Sequence, residues 1–124
     1  ATATTIAHDS HNLMVIGTND SDMALAANKL REVGGGIVTV KDGEVLGLVE
    51  LPIAGLMSDK PLNETKEKMA KIEKSWDELG CEIEHPFPTI ILLALPVLPE
   101  LRITDKGLVD TIDFELVNAE VKES

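Results

Sequence analysis

Two β-branched or apolar runs, Ile37 to Val40 and Val45 to Leu51, flank the tetrapeptide Lys41-Asp42-Gly43-Glu44. An Asp-Gly pair in that setting is a hairpin signal, because both central residues of a type I′ turn need positive φ. This feature constrains the chain most, since it demands a sheet with antiparallel neighbours. Pro52 closes the second run, having no N–H to give to a ladder. Just before the hairpin, Gly34-Gly35-Gly36 ends a helix, because glycine accepts the left-handed conformation beyond a helix terminus. The triplet is not a phosphate loop: no Lys-Ser/Thr follows, and it leads out of a helix rather than into one. Turn geometry or close backbone packing is its reading.

The elements around the hairpin follow from periodicity and punctuation. Leu13 to Ile16 is a short apolar run ending at Gly17, which reads as a buried strand. Thr18-Asn19-Asp20-Ser21-Asp22 supplies helix-capping residues, and Met23, Ala27, Leu30 and Val33 recur at helical spacing. Ile53 to Met57 is a short apolar segment, and Ser58-Asp59-Lys60-Pro61 opens the longest helix, about Pro61 to Leu79. Met69, Ile72, Trp76 and Leu79 line its inner face; Glu64 with Lys68 and Glu67 with Lys71 form i,i+4 pairs on the solvent side. Thr89 to Leu95 reads as a buried strand, with a short buried helix as the alternative that periodicity alone does not separate. Asp105-Lys106-Gly107 is a turn, and Ile112 to Val117 a last short strand or edge.

Ala1 to Thr5 reads as a linker or fragment remnant, and Asn118 to Ser124 as a polar tail that frays. The order strand, helix, two hairpin strands, helix, strand predicts one α+β domain over residues 1–124. Two main helices are expected on one face of a mostly antiparallel sheet, close to the split βαβ arrangement.

Composition narrows the function classes. A chain of 124 residues with 44% apolar content holds one packed core. Its only aromatics are Trp76, Phe87 and Phe114, which argues against stacking on bases or sugars as the binding device. Twenty-two acids against 11 bases, a net charge of −11, disfavour nucleic acid and anionic membranes as partners. A neutral or cationic small molecule or another protein surface fits better, with simple solubility as the plain alternative. The single cysteine, Cys81, allows neither a disulfide framework nor a structural zinc cluster, and reads as buried filler rather than a nucleophile. Ala1 to Thr5 has no signal-peptide character, and the longest apolar run, Ile90 to Leu98, is short and contains Pro96. A cytoplasmic location is expected, and a start without Met points to a cut fragment or a processed end.

The densest polar cluster is His8-Asp9-Ser10-His11-Asn12, which holds two of the three histidines. It adjoins the first strand, a usual place for function. A metal site needs three or four ligands, and no second cluster of suitable spacing exists; His85 stands alone beside Pro86. A triad from Ser10, His11 and Asp9 fails on geometry, because adjacent side chains rarely join one hydrogen-bond chain. A loop reaching into a neighbouring site and a simple capped turn both stand.

Several ordered blocks carry a resemblance. They are Ile6-Ala7-His8-Asp9-Ser10-His11-Asn12, Gly17-Thr18-Asn19-Asp20-Ser21-Asp22-Met23-Ala24, Gly34-Gly35-Gly36-Ile37-Val38 and Leu51-Pro52-Ile53-Ala54-Gly55-Leu56-Met57-Ser58. Leu93-Ala94-Leu95-Pro96-Val97-Leu98-Pro99-Glu100-Leu101 and Thr104-Asp105-Lys106-Gly107-Leu108-Val109-Asp110 complete them. Together they resemble the C-terminal domain of adenine deaminases of the amidohydrolase superfamily.

The resemblance implies a parent hydrolase of purine salvage that converts adenine and water to hypoxanthine and ammonia. It implies manganese or iron, held by an N-terminal barrel that this sequence lacks, to generate the attacking hydroxide. It assigns no catalytic residue, no metal ligand and no cofactor to this chain, so the 124 residues alone are expected to be inactive. His8, Asp9, Ser10, His11 and Asn12 match the motif that opens the domain and are the candidates for substrate binding or for capping the active site. The expected partners are the N-terminal barrel and adenine. A non-catalytic small-molecule-binding module, or a domain for contacts within a homo-oligomer, is the alternative.

Overall fold

A computed structural model describes residues 1–120 and places ten elements along the chain. Strand β1 (Thr2–Thr4) and strand β2 (Met14–Ile16) precede helix α1 (Asp20–Val33). Strands β3 (Gly36–Lys41) and β4 (Glu44–Glu50) form the hairpin, followed by helices α2 (Leu62–Glu78) and α3 (Pro86–Ile91). Strands β5 (Leu101–Thr104), β6 (Gly107–Asp110) and β7 (Glu115–Val117) end the described chain. The first four strands make one antiparallel sheet in the order β2-β1-β3-β4, and the last three make a small antiparallel sheet. The fold is α+β; β2, α1, β3, β4 and α2 stand where the predicted order has them, and the strand that follows the helices is β5, later in the chain than expected.

The Asp-Gly hairpin forms as its chemistry requires: Asp42 has φ 52° and Gly43 φ 79°. β3 is buried from Gly36 to Val40, on both faces. Val38 and Val40 pack with Ala3, Ala26 and Leu30 under α1, whereas Ile37 packs with Val49, Leu51, Ile72 and Trp76 under α2. The two helices therefore cover opposite faces of the sheet, which corrects the expected one-face arrangement. The reason lies in β3 itself: a strand with apolar residues at consecutive positions cannot leave either face to water. On the α2 face, Thr39 and Ser75 bury their hydroxyls against each other at 2.6 Å, and Ser75 also bonds to the Ile72 carbonyl at 2.7 Å.

Four further expectations are corrected. Residues 1–5 are not a linker. Thr2–Thr4 is an internal strand between β2 and β3, with Ala3 and Thr4 buried. The Thr2 hydroxyl accepts from the Trp76 indole at 3.2 Å and donates to the Val38 carbonyl at 3.1 Å. No strand forms at Thr89–Leu95: Thr89 to Ile91 end α3, so the helix alternative holds for that part, turns follow from Leu92, and Phe87 stacks on Trp76 at 6.1 Å. β2 is an edge strand and only half-buried, not a buried one. Lys68 pairs with Glu50 of β4 rather than with Glu64, tying α2 to the sheet. The fraying expected for residues 118–124 falls partly outside the described residues.

The glycine triplet acts by close packing. A Cβ on Gly36, where φ is +144°, would meet the Val49 carbonyl oxygen at 1.9 Å, and one on Gly35 would meet the Gly55 Cα at 2.5 Å. The hairpin is closed from outside by α1. Asn19 caps the helix by accepting from the Asp22 N–H at 2.8 Å, and the Asp22 carboxylate accepts from the N–H groups of Asp42 at 3.0 Å and Gly43 at 2.9 Å. Hydrogen bonds from the Asn19 side chain and the Gly43 backbone hold the Asp22 carboxyl below its ordinary value.

Two measurements check this account. Gly36→Ala is expected to abolish the folded chain, because backbone must move at a strained φ. Gly43→Ala, with open space around its Cβ site, costs only the conformational strain of about 1–3 kcal/mol. Circular dichroism and urea melts of the two variants separate them. Asp22 binds its proton more weakly folded than unfolded, so its contribution is full above about pH 4 and is lost as pH falls through the lowered folded value. Asp22→Asn should therefore lower the urea midpoint at pH 7 and flatten the stability loss below about pH 4.

Candidate functional site

The loop between β1 and β2 starts from a fixed point. The Thr5 hydroxyl accepts from the Gly36 N–H at 2.8 Å and donates to the Gly55 carbonyl at 2.6 Å. Thr4 closes a local turn by accepting from the Ile6 N–H at 2.9 Å. Ala7 is buried and anchors the loop that follows. The His8 N–H donates to the Ile91 carbonyl at the end of α3, at 2.8 Å. The His11 N–H returns to the Ala7 carbonyl at 2.7 Å, closing one turn of chain over residues 7–11.

Within that turn the five candidate residues divide. The His8 and His11 rings are half-buried and meet edge to face, with centroids 4.9 Å apart. Nδ1 of His11 accepts from the Ala7 N–H at 3.3 Å, so the ring serves the loop's own backbone. Asp9, Ser10 and Asn12 are exposed and line a groove of about 630 Å³. The structure thus brings three of the five predicted residues to one cavity, while the two histidines turn to each other and tie the turn to Ala7 and Ile91.

The groove has a second wall that sequence reasoning did not foresee. Leu93, Ala94 and Pro96 of the chain after α3, with Ile103, Thr104 and Asp105 of the small sheet, face Leu13–Gly17 and Met23. The Ile103 N–H bonds to the Leu93 carbonyl at 3.2 Å and fixes the small sheet against that segment. Pro96 and the Asp105-Lys106-Gly107 turn were visible as punctuation, but nothing local signals that they lie across a cavity from residues 9–17. The lining is mainly apolar with a few polar side chains, a combination suited to a small molecule or to an inserted segment of protein.

Among the described residues no group of three or more His, Cys, Asp or Glu is placed to hold a metal ion. Two histidines turned toward each other do not make the three- or four-ligand set that such an ion needs. Cys81 is half-buried against the Ile72 and Trp76 cluster. No helix among the described residues is long and apolar enough to cross a membrane.

The chain is a small α+β domain with a polar loop beside an apolar groove, and comparison with known proteins makes the class particular. The family model described as adenine deaminase C-terminal domain matches residues 1–115. An adenine deaminase of Clostridium botulinum is 61% identical over 123 residues, which cover 99% of this chain and 20% of that protein. One from Moorella thermoacetica is 58% identical over 118 residues, and one from Brucella melitensis 50% identical over 117 residues. The chain belongs to the adenine deaminase C-terminal domain family. It spans about one fifth of the length of the relatives it matches.

Proposed function

We propose that this chain serves as the C-terminal domain of an adenine deaminase, and that its loop from His8 to Asn12 helps enclose the purine at the active site of the rest of the protein. The observation that carries the reading is the joining of family and geometry. In a domain of this family, Asp9, Ser10 and Asn12 present hydrogen-bonding groups to a groove, while His8 and His11 meet edge to face within the same turn.

The reaction of the whole protein is then hydrolytic: water replaces the exocyclic amino group of adenine, giving hypoxanthine and ammonia in purine salvage in the cytoplasm. A manganese or iron ion belonging to the N-terminal barrel would supply the activated water. Among the described residues no group is placed to hold such an ion, and the part proposed for this chain is binding, orienting and excluding bulk water. Adenine offers ring nitrogens that accept and an amino group that donates. A carboxylate such as Asp9 and an amide such as Asn12 complement both. Alone, the 124 residues are proposed to release no ammonia.

The expected result is specific to the groove-facing side chains. In the full-length enzyme, Asp9→Ala and Asn12→Ala should each weaken substrate binding, raising KM about tenfold, the scale of one lost hydrogen bond to a charged or well-placed group. Steady-state ammonia release over a range of adenine concentrations reads this. Unchanged kcat and KM in both variants would remove the loop from the active site.

A further inference from the structure

β2 is paired on one side only. Antiparallel ladders alternate, so the free main-chain groups of β2 follow from its neighbours. Ala1 and Val40 exchange both main-chain bonds, and the Thr5 N–H bonds to the Gly36 carbonyl. In this register Ala3 turns its N–H and C=O to β3, and Thr2 and Thr4 turn theirs to Ile16 and Met14. Val15, between those partners, therefore points its N–H and C=O away from the sheet, and it lines the groove. The apolar side chains beside this open edge are bare: Leu13 is 47% exposed, Ile16 38%, and Ile103 on the opposite wall 57%.

An open strand edge flanked by exposed apolar side chains is the arrangement that accepts an added strand. We propose that this groove seats an extended, apolar segment of the same, longer polypeptide, docked as a further strand on the free edge of β2. The inference rests on the reading of the chain as one domain of a larger protein. Relatives of this chain are about five times its length, so most of their polypeptide lies outside the matched part. A segment tethered in the same molecule reaches the groove at high effective concentration. A second copy of this domain is the poorer occupant, because each copy carries a net charge of −11 and the groove walls include Asp9 and Asp105. The Asp105 carboxylate, which the purine reading does not use, asks for a Lys, Arg or N–H group at one end of the docked segment.

The full-length protein provides the test. Ile103→p-benzoylphenylalanine places a photo-cross-linker on an exposed wall of the groove, where it leaves the core untouched. Irradiation of an equal mixture of isotopically light and heavy protein should yield a light-to-light or heavy-to-heavy link between position 103 and a peptide outside these 124 residues. Hydrogen exchange on the unsubstituted full-length protein should show the Val15 amide protected at least about a hundredfold over an open strand edge. Links between light and heavy copies, links only within the 124 residues, or no link at all would overturn the proposal. So would a Val15 amide that exchanges as an open edge. Neither measurement reads ammonia, so failure of the deaminase reading and failure of the docking are distinguishable.

Discussion

The Thr5 side chain meets three stretches of chain at one point. Its hydroxyl takes the Gly36 N–H and gives its own proton to the Gly55 carbonyl, and Cβ atoms at Gly35 or Gly55 would each come within 3.0 Å of its oxygen. The exit of β1, the entry of β3 and the turn after β4 are thereby held within hydrogen-bonding distance of one another. Main-chain groups at this depth have no water to replace a lost partner, so each of these bonds is expensive to leave unmade. The loop from residue 6 to residue 13 inherits its starting position from this knot, and the groove inherits one wall from the loop.

Much of the fold was legible because it depends on local chemistry. The Asp42-Gly43 turn needs two positive φ angles, and the residues present are those that tolerate them. The inner face of α2, Met69, Ile72, Trp76 and Leu79, is written at helical spacing and packs as one cluster. What escaped reading depends on distant partners. Thr2-Ala3-Thr4 has no apolar alternation of its own, and becomes an inner strand because Ile16 and Thr39 offer ladders on either side. Thr89 to Leu95 is apolar enough for a strand, yet Pro86 at the first turn and the docking of Phe87 on Trp76 make Thr89 to Ile91 the end of a short helix, and turns follow it. Lys68 bypasses Glu64 because β4 brings Glu50 within reach.

The candidate site shows the same division. Its polar loop stood out in the chain, since five adjacent residues carry donors or acceptors. Which of them face outward did not, because a turn that returns His11 to Ala7 separates neighbours in sequence onto different sides. Histidine drew attention as the versatile residue of catalysis and metal binding, yet here the two rings meet each other and the His11 ring accepts from the Ala7 N–H. The residues left free to meet a ligand or a partner are the shorter Asp9, Ser10 and Asn12.

The buried hydroxyl pair of Thr39 and Ser75 acquires a further meaning from the two-sided burial of β3. Ile37, Val38 and Val40 are all apolar and of similar size, so hydrophobicity alone barely distinguishes one alignment of this strand from an alignment shifted by one residue. Such a slip exchanges the faces of the whole strand. It would carry the Thr39 hydroxyl away from Ser75 and into the aliphatic layer of Ala26 and Leu30, where no polar partner waits. One weakly stabilising contact thus works as an address label, marking which side of the central strand belongs to which helix.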